Sequence, residues 1–541
     1  MEISSDSDHR AIIASRTSTR KTYNIVAATT ALVVFAFLAY ALTQIVVKLS
    51  ANKHRTMSMY YGSGLQHGGT LLSVMDRGVV QYLNLRYAQV QERFGPSVPY
   101  EAKHSGEEMQ DHPQPCVRPA YSAFPSHPFP FSEEFEDCLF LNVWTPLRGR
   151  SDEDTSPKPV VVVLVGGNFV SGGSGDYELF DGSVMASLWN QVIVIPNYRV
   201  GMMGFYTIPG ENTTRDAGFA DQVLALEWVR KHISRYGGDP KKVTLLGLEA
   251  GATAVGLHLS SPTSSALFHR AILLSGSPYR PLPKRSDSII RDISRELLCS
   301  DETDEIDTAE HIVPCLKVKS VHSLLEHQRS ATLGGAVAAF NPSFGEAIVK
   351  QQRTSSQGIE GGSGNVVFET QKDILVGTTE NEGSAYTSAL LGFFGVEHET
   401  DLDANTASQI LHTYLRHHGF NVDEVTLGFF LQRYETGSAV GNLARAIGDF
   451  IVHCPMKRFL DIYTRGERSE FPDVNVYAYY FRHVPDFRWW PNWMGSPQML
   501  DWIYLSGNLQ GLRSDKINIR DTEILLSKKL ANLLSCFART G

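Results

Sequence analysis

Short apolar runs alternate along this chain with stretches whose apolar residues recur at helical spacing. The runs predict strands, several of them buried on both faces because they are continuous and rich in β-branched residues. They lie at residues 79–87, 160–165, 192–195, 243–246, 271–274, 374–377 and 474–481. Between them, one helical face is marked by Phe219, Val223, Leu226, Val229 and Ile233. Strands that alternate with helices favour an α/β fold with a large, mostly parallel central sheet covered by helices.

Residues 25–47 form a long apolar run without a charged residue. A helix of that length spans a bilayer, whereas a secretory signal has a shorter apolar core and a shorter polar segment before it. We therefore expect one transmembrane helix, a signal anchor, rather than a cleaved signal peptide or a buried core helix. The flanking basic residues slightly favour a cytoplasmic N-terminus. They are Arg10, Arg16, Arg20 and Lys21 before the run, and Lys48, Lys53 and Arg55 after it.

This organisation predicts a single-pass type II protein of the plasma membrane. It has a cytoplasmic tail at residues 1–24, the transmembrane helix at 25–47, a linker at 48–69 and an extracellular domain at 70–541. Outside the cell the six cysteines can pair, although six cysteines allow fifteen pairings. Asn212, in Asn212-Thr213-Thr214, is a predicted glycosylation site on that side. A net charge of −9 over 541 residues gives no reason to expect a nucleic-acid partner.

The segment VTLLGLEAGATAVGLHLSSP, residues 243–262, is the most informative stretch of the chain. It predicts a buried strand, a sharp turn with Gly247 and Gly251 on either side of Glu249, and a helix that ends before Pro262. A strand, a G-x-S-x-G turn and a helix form the nucleophile elbow of α/β-hydrolases, in which a strained turn lifts one side chain above the sheet edge. Here that side chain is a glutamate, which no neighbouring base can convert into an alkoxide-like nucleophile.

Eight motifs, in order along the chain, resemble the type-B carboxylesterase and cholinesterase family. They are EDCLFLNVW, NYRVGMMGF, DAGFADQVLALEWVRKHISRYGGDP, VTLLGLEAGATAVGLHLSSP, LFHRAILLSGSP, NEGS, PNWMG and FARTG, spread from about residue 70 to residue 541. The resemblance implies a single large α/β-hydrolase domain, with a catalytic serine, glutamate and histidine in that order along the chain.

The family's catalytic positions are only partly kept in this sequence. The acid corresponds to Glu382 and is retained, but the serine's position is Glu249 and the histidine's position is Gln498. The family's oxyanion loop of three glycines corresponds to Gly166-Gly167-Asn168, so the vestigial oxyanion positions are Gly167, Asn168 and Ala250. The resemblance therefore implies a triad without its nucleophile and base, beside an altered oxyanion hole.

We expect Glu249, Gln498 and Glu382 to form a packed, hydrogen-bonded group. The Gln498 amide would donate to one or both carboxylates, and two close carboxylates repel, which should raise the pKa of at least one. The alternative is an open cleft that still binds a small ligand. We expect no cofactor and no metal, because two carboxylates without a nearby His or Asp at ligand spacing are a poor metal site.

The resemblance also implies paired residues elsewhere in the domain. It implies the disulfides Cys116–Cys138, Cys299–Cys315 and Cys454–Cys536, which use every cysteine. It further implies two buried ion pairs, Arg93–Glu136 and Arg199–Asp221.

With its N-terminal anchor, the chain resembles the cholinesterase-like adhesion molecules of this family. That resemblance implies a catalytically inactive membrane protein that binds an extracellular protein partner or ligand, and it leaves a homodimer open. The alternative is a membrane-anchored carboxylic ester hydrolase with non-standard catalytic residues. It would use Glu249 as nucleophile and a distant histidine, such as His258 or His483, as base.

Overall fold

The computed structural model describes most of the chain from residue 55 onward. The residues outside the described part are 1–54, 62–64, 75–76, 102–113, 119–134, 148–155, 174–178, 206–215, 284–286, 301–308, 334–336, 338–339, 341, 343–367, 369–370, 435–436, 466–473, 511 and 513–516. The predicted tail, the predicted transmembrane helix and Asn212 all lie outside it. No helix in the described residues is both long and apolar enough to cross a membrane.

The described strands form one large sheet and one small one. They are β1 (Arg55–Tyr61), β2 (Leu65–Val74), β3 (Arg77–Arg86), β4 (Ala88–Val90), β5 (Ser97–Pro99), β6 (Phe140–Pro146), β7 (Lys158–Leu164), β8 (Val192–Pro196), β9 (Gly238–Leu248), β10 (Arg270–Leu274), β11 (Asp373–Thr379) and β12 (Val476–Phe481). The large sheet has ten strands in the order β1-β2-β3-β6-β8-β7-β9-β10-β11-β12, and β4 pairs with β5 separately.

The large sheet is mixed rather than mostly parallel. Strands β1, β2, β3, β6 and β8 pair antiparallel, and the neighbours from β8 to β12 pair parallel. The antiparallel part begins inside the predicted linker, because β1 and part of β2 lie within residues 48–69. The segment RTMSMYY alternates polar and apolar residues, which is the strand period.

The central strands are buried on both faces, as their continuous apolar runs predict. In β7, Val160, Val162 and Leu164 join one core cluster while Val161 and Val163 join the other. Successive side chains point to opposite faces of a sheet, so an unbroken apolar run fills two cores.

Helices cover both faces of this sheet. They are α1 (Gly182–Trp189), α2 (Gly201–Phe205), α3 (Ala217–His232), α4 (Ala250–Ser260), α5 (Asp287–Glu296), α6 (Ala309–Val318), α7 (Val321–Ala331), α8 (Ser384–Phe393), α9 (Ala404–His417), α10 (Glu424–Leu431), α11 (Ala439–Gly448), α12 (Cys454–Arg465), α13 (Leu500–Leu505) and α14 (Asp521–Thr540). Helices α3 and α4 pack into the first core and α1 and α14 into the second, while α8 to α11 build a core of their own.

Both expected ion pairs form, but only one is buried. Arg199 and Asp221 are bonded twice side chain to side chain, at 2.8 Å each, and are almost fully enclosed. The Arg93–Glu136 pair is shorter, at 2.6 Å, yet 40% of the Glu136 side chain is exposed. That second pair is therefore partly solvated, contrary to the expectation.

Two of the three expected disulfides are present, Cys116–Cys138 and Cys299–Cys315. The third, Cys454–Cys536, is not: both cysteines are free and exposed. Cys454 begins α12, and Cys536 lies in α14, where its Sγ is 3.7 Å from the Thr540 Oγ1 one turn later. Each thiol thus faces solvent on its own helix, and the expected third bridge is wrong for this structure.

Candidate functional site

The elbow forms as the sequence predicts, at the carboxyl end of β9. Glu249 lies between β9 and α4 with φ 54° and ψ −111°, a backbone conformation that is strained for any residue with a side chain. The turn is tight because β9 and α4 meet here: a Cβ at Gly247 would be 2.3 Å from the Gly251 carbonyl oxygen. A Cβ at Gly251 would be 2.0 Å from the Leu164 carbonyl oxygen of the neighbouring β7. Both glycines are therefore required by close approach.

The Glu249 carboxylate lies on the backbone N–H groups of two of the expected oxyanion positions. Its Oε2 accepts the backbone N–H of Asn168 at 2.7 Å and that of Ala250 at 2.5 Å. Asn168 follows β7 in a turn with φ 56°, and Ala250 opens α4, so the two N–H groups converge from separate elements. Gly167 lies in the same turn, where its carbonyl accepts from Val170 and Ser171. The hole that would hold a substrate oxyanion is filled by the protein's own carboxylate.

Arg280 and Tyr386 bind the other oxygen of this carboxylate. The Arg280 Nη1 forms a short ion pair with the Glu249 Oε1, and the Tyr386 hydroxyl donates to the same oxygen at 2.6 Å. The Arg280 Nη2 donates to the Asn168 Oδ1 and, at 3.2 Å, to the Tyr386 hydroxyl. The side chains of Arg280 and Glu249 are 1% and 5% exposed. A buried ion pair is thus held on both sides by further hydrogen bonds.

The pKa values of Arg280 and Tyr386 are both shifted at this site. Burial is the largest effect on the pKa of Arg280 and works to lower it, but the Glu249 carboxylate together with Tyr386 and Tyr414 outweighs burial and the pKa is raised. Burial raises the pKa of Tyr386 well above its ordinary value, which keeps the phenol neutral as a donor. Glu249 therefore faces a guanidinium, a neutral hydroxyl and two amides.

Glu382 is fully buried at the turn between β11 and α8. Its Oε1 accepts from the Thr379 N–H at 2.7 Å and from the Ser275 hydroxyl at 2.8 Å. Its Oε2 has no hydrogen-bond partner among the described residues. Burial, and then the charge of Asp501, raise the pKa of Glu382 to about 7, although His453 and the two hydrogen bonds act in the opposite direction. Only one of the two Glu382 carboxyl oxygens thus has hydrogen-bond donors among the described residues.

Gln498 does not bridge the two carboxylates. The hydrogen bond that the described structure gives its amide runs from Nε2 to the Ser275 carbonyl oxygen, at 3.5 Å. The expected donation to Glu249 or Glu382 is therefore wrong. Glu249 turns instead into the oxyanion loop, where two amides, a cation and a hydroxyl meet its charge. All three side chains are buried, so this arrangement is packed and is not a solvent-filled cleft.

Neither His258 nor His483, the bases of the alternative hydrolase mechanism, contacts Glu249. The ring nitrogens of His258 bond to Ser264 and Gln222, and burial lowers the pKa of this histidine to about 3. His483 bonds through Nε2 to Glu523. The histidine that acts on the site electrostatically is His453, whose Nε2–H donates to the Thr379 carbonyl oxygen while Nδ1 bonds to Asp449. Both of its ring nitrogens are engaged.

Sequence reasoning missed Arg280, Tyr386 and His453. Arg280 is the second residue after the family-like LFHRAILLSGSP segment, and a buried glutamate at the elbow requires a buried cation. The need for a buried cation near Glu249 is therefore the sequence signal that points to Arg280. Tyr386 and His453 carry no comparable signal in the sequence.

Fold and site together define an α/β-hydrolase scaffold with a glutamate at the nucleophile elbow. Residues 63–541 match the carboxylesterase family, so the chain belongs to that family. Acetylcholinesterase from Bungarus fasciatus is 30% identical over 427 residues, which cover 75% of this chain and 64% of that enzyme. The matched region thus spans less than two thirds of the relative's length. Activity has to be argued from the site itself, because one fold supports many functions.

Proposed function

We propose that this protein is a catalytically inactive, membrane-anchored member of the carboxylesterase family that acts in cell adhesion or extracellular partner recognition. One observation is the main support for the proposed loss of catalysis. The residue at the nucleophile elbow is a glutamate whose carboxylate sits on both oxyanion N–H donors and is paired with Arg280. Nucleophile position and oxyanion hole are therefore occupied by one side chain.

Ester hydrolysis on this scaffold needs a nucleophile, a base and free oxyanion donors. A carboxylate nucleophile would have to leave its four donors to attack, and water would then need a base at the second step. Gln498 cannot supply that base because an amide does not titrate in the relevant range. Removing the serine or histidine of a triad costs a factor of about 10⁶ in turnover. The residual rate from binding and oxyanion donors, about 10³ over water, depends on donors that Glu249 already occupies.

The adhesion part of the proposal rests on the sequence and on the disulfides. The predicted anchor at residues 25–47 places the domain outside the cell, as in the neurotactin-type adhesion molecules that the sequence resembles. Cys116–Cys138 and Cys299–Cys315 support an oxidising compartment, where such bridges persist. An extracellular protein is the partner class we propose.

Ester hydrolysis tests the first half of this proposal. The full-length chain in detergent should hydrolyse p-nitrophenyl acetate no faster than the detergent buffer. The matched control is Glu249→Ala, which should behave identically. Turnover by the native chain that disappears in Glu249→Ala would instead establish the rival function, a hydrolase with a glutamate nucleophile.

Topology and adhesion test the second half. On intact cells Asn212 should carry an endoglycosidase-sensitive glycan, and an epitope tag at residues 1–24 should resist external protease. Cells that express the chain should then aggregate with cells that display an extracellular partner. Digestion of the tag from outside would reverse the orientation and remove the basis for extracellular recognition.

A further inference from the structure

Four hydrogen-bond donors converge on one carboxylate in the core of this protein. They are the N–H groups of Asn168 and Ala250, the guanidinium of Arg280 and the hydroxyl of Tyr386. They come from four separate places: the turn after β7, the start of α4, the loop after β10, and α8. Along the chain the two nearest, Ala250 and Arg280, are 30 residues apart, and the Glu249 carboxylate is the group that all four contact.

The donors match the needs of an ionised carboxylate. Each oxygen of such a group accepts more than one hydrogen bond, and here each oxygen has two donors. Charge-assisted bonds from a guanidinium and amides at a helix start are the strong ones, and α4 presents its first N–H to the anion. The other groups bonded to the Arg280 guanidinium, the Asn168 side-chain amide and the Tyr386 hydroxyl, are neutral. Glu249 is therefore the counter-ion of Arg280 among the described residues.

Three of the four donors, from Asn168, Arg280 and Tyr386, lie far from Glu249 along the chain and contact its carboxylate. Donors that recognise only the carboxylate group should bind the same group on a separate molecule, provided that the space is vacated. We propose that Asn168, Ala250, Arg280 and Tyr386 form a carboxylate-binding site whose resident ligand is the chain's own Glu249. This inference stands whether or not the protein acts in adhesion.

The site predicts which small acids can replace the side chain. Glu249→Ala removes a CH₂–COO⁻ unit, so the vacated space fits acetate. Glu249→Gly also removes the β-carbon, so it fits propionate, and glycine tolerates the positive φ of this position. A ligand that binds the folded state raises its apparent stability with the logarithm of its concentration. The two variants should therefore differ in their preferred acid.

The experiment is a thermal-unfolding series on the full-length chain near neutral pH. Without additive, Glu249→Ala and Glu249→Gly should unfold at lower temperature than the native chain. Acetate should raise the unfolding temperature of the alanine variant saturably, propionate should do so for the glycine variant, and chloride at equal ionic strength should not. Neither acid should shift the native chain or Glu249→Ala/Arg280→Met, which lacks the cation.

A second readout covers variants that do not fold in plain buffer. Refolding yield from denaturant should then rise severalfold in acetate over chloride for Glu249→Ala, and not for the double variant. Refolding also lets the acid enter before the core closes. The proposal is overturned if neither readout responds to acetate or propionate, or if Glu249→Ala/Arg280→Met responds as strongly as Glu249→Ala.

Discussion

The two carboxylates that the sequence resemblance assigns to catalytic positions are both buried, yet one is fully partnered and the other is not. Glu249 has an arginine, a tyrosine and two backbone amides around its oxygens. Glu382 has two donors on one oxygen and none on the other among the described residues. Glu249 is thus better satisfied than Glu382.

This difference shows what a new buried charge demands. An ionised carboxylate in the core is tolerated only when a cation and hydrogen bonds replace water, and Arg280 supplies both. Glu382 responds in the other way open to a buried acid, since burial raises its pKa to about 7 and favours the neutral form. The two carboxylates are therefore accommodated in opposite ways: Glu249 by a cation and three further hydrogen bonds, and Glu382 by a raised pKa that favours the neutral form.

The largest effect should come from removing the cation. Arg280→Met leaves Glu249 buried without a counter-ion, and breaking one side of such a pair costs about 3–5 kcal/mol. The midpoint of urea unfolding measures it. The matched control is Lys457→Met in the exposed Lys457–Asp461 pair, which should cost less than about 1 kcal/mol. Equal losses in the two variants would remove the distinction between the two carboxylates.

Glu382 should make stability fall as pH rises. Its folded pKa, about 7, lies above the ordinary 4.5, so the folded state binds the proton more tightly. The stabilisation from this proton is fully present below about pH 4.5 and is lost as pH rises toward and through 7, which lowers the free energy of unfolding by about 3 kcal/mol. Glu382→Gln keeps the shape without the charge and should lack this loss.

The measurement is the difference in unfolding free energy between Glu382→Gln and the native chain from about pH 5 to pH 8. Taking the difference cancels most other titrations, although Asp501 and His453 lie close enough to Glu382 to shift the midpoint. The difference should grow in favour of the glutamine variant with rising pH. A difference that is flat or shrinks would mean that Glu382 is ionised and satisfied, like Glu249.

Tyr386→Phe should have a smaller effect on the Glu249 side. The variant removes one 2.6 Å donor to a charged acceptor and leaves Arg280 in place, so the loss should be about 1.5–3 kcal/mol. Tyr480→Phe, at an exposed phenol, is the control and should change stability by less than about 0.5 kcal/mol. If the two substitutions cost the same, the hydroxyl contributes nothing to holding the carboxylate.

The smallest effect should follow Gln498→Met. The amide makes one long bond to the Ser275 carbonyl oxygen, so an apolar side chain of similar length should cost less than about 1 kcal/mol. A cost of about 2 kcal/mol or more, measured by the same urea midpoints, would indicate that the amide bridges the carboxylates in solution. In that case the Gln498 amide would donate to the Glu382 Oε2, which has no partner among the described residues.

The sequence predicts the scaffold better than the site. Continuous β-branched runs and the glycines at 247 and 251 predict the central strands and the elbow, because both patterns reflect local backbone constraints. The contacts of Glu249 depend on residues 31 and 137 positions away, and no local pattern encodes which side chains meet it. The family position of Gln498 correctly indicates its burial but not its partner, because Glu249 turns toward a cation that the family pattern does not contain.

A double-mutant cycle on Glu249→Gln and Arg280→Met tests the central claim most directly, namely that the elbow glutamate is ionised and held by Arg280. Each single variant leaves one member of the pair unmatched, whereas the double variant leaves neither charge behind. The free energies of unfolding should therefore be non-additive, with a coupling of about 2–3 kcal/mol and a double variant more stable than Arg280→Met alone. Additivity within about 0.5 kcal/mol would contradict the claim.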